Sequence, residues 1–228
     1  MEADAPMTRR KEAEMNARTE VLGRIRRALA DVPASEHPQH VPVPRQYSRG
    51  GAPPTGSAAA VELLAGRLAE YGASVHLVST QEVASCVARL VAGLGAGSVV
   101  VPRGFPPAWR SALDPDRVLT DVPRLPVAEL DRVAAVVTTA AAAIATTGTL
   151  VLDGGPGQGR RALTLVPDVH VCVVRARQVV ASVPEALAAL RPTCPLTFIS
   201  GPSATSDIEL DRVEGVHGPR TLEAVVVG

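Results

Sequence analysis

From residue 57 onward, short apolar runs alternate with helical patterns, and that alternation limits the fold more than any other feature of the chain. "SAAAVELLAGRLAEYG" reads as a helix ending at Gly72, "SVHLVS" as a strand, and "TQEVASCVARLVAG" as a helix capped by Ser79 or Thr80. "SVVVP", "RVLT", "AAVVTTA", "TLVLD", "VHVCVVR", "LTFIS" and "LEAVVV" follow as strands, with "PPAWRSAL", "VAELDRV" and "VPEALAALR" as helices. Short uninterrupted apolar strands separated by helices imply an α/β fold, a mainly parallel sheet with helices on both faces. Strands outnumber helices toward the C-terminus, so extra strands are expected in that half. The uncharged run 133–152 approaches membrane-helix length, but its Ala/Thr content, β-branched ends and T-G-T fit a buried strand–turn–strand better.

Ahead of this region, residues 12–31 place Val21, Leu22, Ile25 and Leu29 at helical spacing with charge opposite. Residues 32–56 carry six prolines and three glycines, the composition of an extended arm. The expected organisation is therefore an N-terminal amphipathic helix and Pro-rich arm over 1–56 and an α/β domain over 57–228. The helix stripe is expected to dock on a partner or on a second copy of the chain, a route to a homo-oligomer.

Composition narrows the chemistry. The 23 basic and 23 acidic residues cancel, which argues against a nucleic-acid surface or a polybasic membrane anchor. Lys11 is the only lysine and lies in the charged N-terminal segment, away from any P-loop or Schiff-base position. Cys86, Cys172 and Cys194 are far apart and form no C-x-x-C pair. That pattern suits a reducing cytoplasm and cannot alone hold an iron–sulfur cluster. No histidine pair has metal-ligand spacing, so no metal site is expected. Residues 1–20 lack the apolar core of a secretory signal.

Three polar clusters are expected beyond the carboxyl ends of strands, where open α/β sheets gather ligands. In "TTGT" (146–149), Thr147, Gly148 and Thr149 form either a tight turn starting a strand or an oxyanion-binding notch. "GGPGQGRR" (154–161) mismatches the dinucleotide fingerprint; it is either a plain hairpin or a flap bringing Arg160 or Arg161 to an anionic substrate. In the stretch 201–220, amides around Gly201–Ser203 and the hydroxyls of Ser203 and Thr205 are donors for an anion. His217 is the general acid–base candidate or bonds only its own loop. Asp207 is grouped with His217 as the carboxylate that braces the loop.

"AIATTGTLVL", "RALTLVPDVHVCVV", "FISGPSATSDIE" and "GVHGPRTLEAVVV" together resemble the lactate-utilization protein C family, the LUD-domain proteins, and "VLGRIRRAL" resembles that family's opening helix. The resemblance implies a fold like the sugar-phosphate isomerase and CoA-transferase superfamily (NagB/RpiA/CoA transferase-like). It further implies a cytoplasmic component of L-lactate-to-pyruvate oxidation, with iron–sulfur clusters carried by partner proteins and no cofactor in this chain. One position departs from the pattern: family members commonly read A-E-T-G-T, and here Thr146 takes the acidic place, which excludes glutamyl-CoA chemistry there. The competing expectation is a stand-alone enzyme acting on phosphosugar or acyl-CoA substrates.

Overall fold

The structure, a computed structural model, describes residues 5–33, 35–40, 42–44, 46, 53–191, 193–205, 213–215 and 217–228. The chain divides into two compact units, 1–47 and 48–228. In the first, helix α1 spans Ala5–Ala28. Val21, Leu22 and Ile25, and Leu29 just beyond the helix, all lie exposed.

In the second unit, helix α2 (Ala58–Glu70) starts where the Ser57 hydroxyl accepts from the Ala60 N–H, and it buries Ala60, Leu64 and Leu68 at four-residue intervals. Burying the two leucines contributes about 3–6 kcal/mol before entropy is subtracted. The domain reaches back to Gly56, whose N–H bonds the Val179 carbonyl at 2.8 Å. Then come β1 (Ser74–Val78), α3 (Val83–Gly93), β2 (Val99–Val100), α4 (Pro107–Arg110), β3 (Val118–Leu119), α5 (Val127–Leu130), β4 (Ala135–Thr139), β5 (Ala142–Ile144) and β6 (Thr149–Leu152). After β6 a 3-10 turn, Arg161–Thr164, leads to β7 (Val169–Arg175), β8 (Val179–Val180), α6 (Val183–Ala189), β9 (Thr197–Ile199), the short pair β10 (Ala204–Thr205) and β11 (Val213–Glu214), and β12 (Thr221–Val227).

Six strands form one sheet in the order β1-β12-β7-β4-β2-β3, every neighbouring pair parallel. Its strands bury alternate residues on opposite faces, as the two-residue period of a strand requires. Val137, Val171, Val173, Val225 and Val227 pack with Val83, Val87 and Val91 of α3 and Trp109 of α4. Cys172, Val174, Ala224 and Val226 point the other way, onto α2 and a second sheet. That second sheet runs β8-β5-β6-β9, with β5–β6 and β6–β9 antiparallel. Its outer face (Ala142, Ile144, Val151) packs against Ala186 of α6.

Two local readings differ from the sequence expectation. Helix α3 begins at Val83 with Glu82 in the cap position. Ser79 instead gives its N–H and hydroxyl to the Glu82 carboxylate, at 2.9 and 2.6 Å, so the serine ties down the cap residue and is not the cap itself. The run 133–152 holds three strands. Only Ala140 and Ala141 separate β4 in the large sheet from β5 in the second, and their N–H groups bond Val173 and Val151 respectively. Side chains as small as alanine let the chain cross between sheets packed this closely.

Candidate functional site

The three polar clusters do not converge on one edge of the sheet. The glycine-rich loop closes over the carboxyl end of β4: the Thr139 N–H bonds the Gly157 carbonyl at 2.9 Å, and the Thr139 hydroxyl bonds the Pro156 carbonyl at 3.0 Å. Residues 201–203 and 217–219 lie at the opposite edge, beside the amino ends of β7 and β12. The chain between Gly159 and Val169 has to cross from one edge to the other to enter β7, and this separates the clusters.

At the amino edge a cavity of about 150 Å³ is lined by Arg161, Thr164, His170, Ser203, His217 and Leu222, with Gly201 and residues 198–200 of the β9 end completing its wall. Residues 200–203 reach it because β9 ends there. Gly201 is the residue that allows the turn: its φ is 123°, and a Cβ would sit 2.7 Å from the Tyr71 Cβ. Ser203 staples the two arms of the loop. Its N–H donates to the Pro219 carbonyl at 2.8 Å, its carbonyl accepts from the Gly215 N–H at 2.8 Å, and its hydroxyl oxygen accepts from the His217 N–H at 2.9 Å. The expected free amide at Ser203 is therefore occupied, and the donor it retains is its hydroxyl proton.

Of the two arginines the sequence offered, Arg161 is the one that reaches this cavity. One Nη1 bonds both the carbonyl and the hydroxyl of Thr164 at 3.0 Å, which holds the guanidinium against its own turn with other N–H groups left over. Arg160 is absent from the lining because it is committed elsewhere. Its Nε and Nη2 clamp the Asp121 carboxylate at 2.7 and 3.1 Å, and Nη2 also bonds the Leu125 carbonyl at 2.7 Å. Burial pushes the Asp121 carboxyl up, but hydrogen bonds from Arg160 and Leu125 and the charges of Arg160 and Arg124 outweigh it, holding the carboxyl below its ordinary range.

His170, the second residue of β7, drew no notice in the sequence because it sits inside an apolar strand. Its Nε2 lies 2.7 Å from the Thr138 hydroxyl on β4. Its Nδ1 is buried and has no hydrogen-bond partner among the described residues. Burial, with the charge of Arg161 adding to it, pushes the imidazole down to about 3, so the ring is neutral at pH 7. In the tautomer where the Thr138 hydroxyl donates to Nε2, the ring proton resides on Nδ1. Cys172 is equally buried on the same face of β7, and burial pushes its thiol up to about 12, keeping it protonated and unreactive.

Thr147, Gly148 and Thr149 form a turn in the second sheet. Thr149 Oγ1 lies 2.7 Å from both the Thr147 and the Ser200 hydroxyls, so the turn reaches the cavity only through Ser200. Gly148 has φ 57°, and a Cβ there would stand 2.7 Å from the Arg67 Cβ on α2. The glycine is required by that approach to the helix. Thr146 is exposed. The backbone of Thr205 pairs with Val213 in the short hairpin, and Asp207 lies outside the described residues.

The arrangement offers cationic, hydroxyl and imidazole donors around a space for a small anion. Residues 128–227 match the LUD domain. A lactate utilization protein C from Deinococcus radiodurans is 45% identical over 217 residues, covering 93% of this chain and 96% of that protein. The chain belongs to the lactate utilization protein C family. A lactate utilization protein C from Geobacillus is 33% identical over 93 residues, 37% of this chain and 38% of the relative. A crystal structure of a DUF162 family protein from Deinococcus radiodurans superposes with a TM-score of 0.62 at 41% identity, covering 75% of this chain and 98% of its own. The family matches span the cavity walls contributed by Arg161, His170, Ser203 and His217.

Proposed function

We propose that this chain is a cytoplasmic component of L-lactate oxidation to pyruvate that binds the three-carbon acid in the cavity at the amino ends of β7 and β12. The observation that carries the reading is that His170, whose buried Nδ1 has no partner among the described residues, lines a cavity together with Arg161. A buried polar atom without a partner is rare in folded proteins, and a ligand is one way to satisfy it. A cavity of about 150 Å³ has the liquid volume of about five waters, on the scale of a three-carbon acid. Pockets for larger ligands run to about 300–1,000 Å³, which favours lactate or pyruvate here over an acyl-CoA.

In this reading the carboxylate meets Arg161, the Ser203 hydroxyl and His170 Nδ1–H, and exposed His217 stands at the rim to exchange a proton. Lactate gives up two electrons on becoming pyruvate. The cysteines of this chain are dispersed, with Cys86 and Cys172 buried on opposite faces of the sheet, so the reading assigns the electron acceptor to iron–sulfur partner proteins.

Calorimetry with lactate and with pyruvate tests it. Saturable binding of either acid is expected, weakened roughly tenfold in Ser203→Ala, the equivalent of about 1.4 kcal/mol, and more in Arg161→Gln. Equal binding by wild type and both variants would sink the assignment, as would no binding of either acid.

A further inference from the structure

At the other edge of the large sheet, beyond the carboxyl ends of β4 and β7, lies a cleft of about 610 Å³ lined by Thr139, Asp153, Gly155, Arg175, Gln178 and Arg191. Arg175 is the last residue of β7, five residues after His170, which is roughly 17 Å along a strand. The cleft and the three-carbon-acid cavity are therefore on opposite edges.

Arg175 is held in place but not neutralised. Its backbone N–H donates to Gln178 Oε1 at 3.0 Å, while Gln178 Nε2 bonds the Ala140 and Ala141 carbonyls at 2.8 and 3.1 Å, locking the strand end. Its guanidinium carbon lies 4.3 Å from the centroid of the Trp109 ring. It has no carboxylate or carbonyl partner among the described residues. The one carboxylate lining the cleft, Asp153, turns back into its own loop, where Oδ1 accepts from the Gly155 N–H at 3.0 Å. An arginine cannot shed its charge, and burial working with the nearby charge of Arg177 already disfavours the cation. A partly desolvated guanidinium with free N–H groups at the carboxyl edge of a parallel sheet is placed where such folds take ligands.

We propose that this cleft is a second binding site, for an oxyanion-bearing metabolite larger than lactate whose phosphate or carboxylate group is gripped by Arg175, with Arg191 at the rim. The site is independent of the reading of the amino-edge cavity. It uses no residue of that cavity and stands or falls separately.

Trp109 is the only tryptophan, so its fluorescence reports on the guanidinium stacked against it. Pyrophosphate and malonate, titrated separately at constant ionic strength, represent the phosphate and carboxylate forms of the oxyanion. The expected result is a saturable change in indole emission in at least one arm, weakened tenfold or more in Arg175→Met and several-fold in Arg191→Gln. Ser203→Ala should leave it unchanged, and lactate should not reproduce it. A wild-type titration flat to millimolar probe in both arms would overturn the proposal. So would an Arg175→Met variant that melts lower but binds as wild type, since that outcome makes Arg175 a mere prop for Trp109. Should Arg175→Met fail to fold, the exposed Arg191→Gln decides: wild-type affinity there refutes the site.

Discussion

A neutral imidazole buried beside a guanidinium makes acid a threat to this fold. His170 titrates near 3 when folded and near about 6.5 when unfolded. Between those values the unfolded chain takes up a proton that the folded chain refuses, so stability falls as pH drops below about 6.5, at most by about 1.4 kcal/mol per pH unit. His170→Gln should keep the Thr138 bond and flatten that slope, measured as urea melts between neutrality and acid; parallel slopes would mean the ring is not held neutral. Gly148→Ala meets both a positive φ and the Arg67 backbone, and should cost about 1–3 kcal/mol in the same melts. At this scale the sequence singled out Gly201, Ser203 and His217, which line the amino-edge cavity, because glycines, hydroxyls and a histidine crowd a connection that needs only a turn. It could not separate Arg160 from Arg161, since the extended residue before a 3-10 turn and the first residue within it point in different directions and only the position of Asp121 decides which is taken. His170 was hidden because an apolar strand can bury an occasional polar residue, and nothing local reveals whether that residue has found a partner.

Among the elements, the long ones were legible. The four-residue spacing of Ala60, Leu64 and Leu68, and the valine-rich runs of β7 and β12, reflect faces that pack against a sheet or lie inside one. The strands β5, β8, β10 and β11 were missed, because their two or three residues are held by the strands beside them and not by their own preference, whereas the equally short β2, β3 and β9 stand in apolar runs set off by turn residues. The same reason explains the misplaced clusters: sequence shows that a loop follows a strand, while the edge it serves depends on the next strand it must enter. The Arg160–Asp121 clamp is the tie that fixes the glycine-rich loop's exit to the segment before α5. Asp121→Asn should lower stability by about 1.5–3 kcal/mol in chemical denaturation while lactate affinity stays at the wild-type value. A drop in affinity would show that the clamp sets the direction of Arg161.

For the molecule as a whole, the division into units 1–47 and 48–228 implies that the second unit carries its own core. Removing residues 1–47 should leave a protein with the same melting temperature and a cooperative transition, read by circular dichroism. A molten or aggregated product would contradict that division. No helix among the described residues is long and apolar enough to cross a membrane, in keeping with the reading of 133–152 as strands. The order of the large sheet carries one more consequence. Strand β12, residues 221–227, lies between β1 and β7 and pairs with both along its length. On the ribosome, β1 emerges early yet has no neighbour to pair with until the chain has been translated almost to residue 228. The amino-terminal half of the domain must wait as an incomplete sheet with an open edge, exposed to chaperones and to misassembly. Folding should therefore be post-translational, and an arrested nascent chain lacking β12 should remain protease-sensitive however much of the rest has been made.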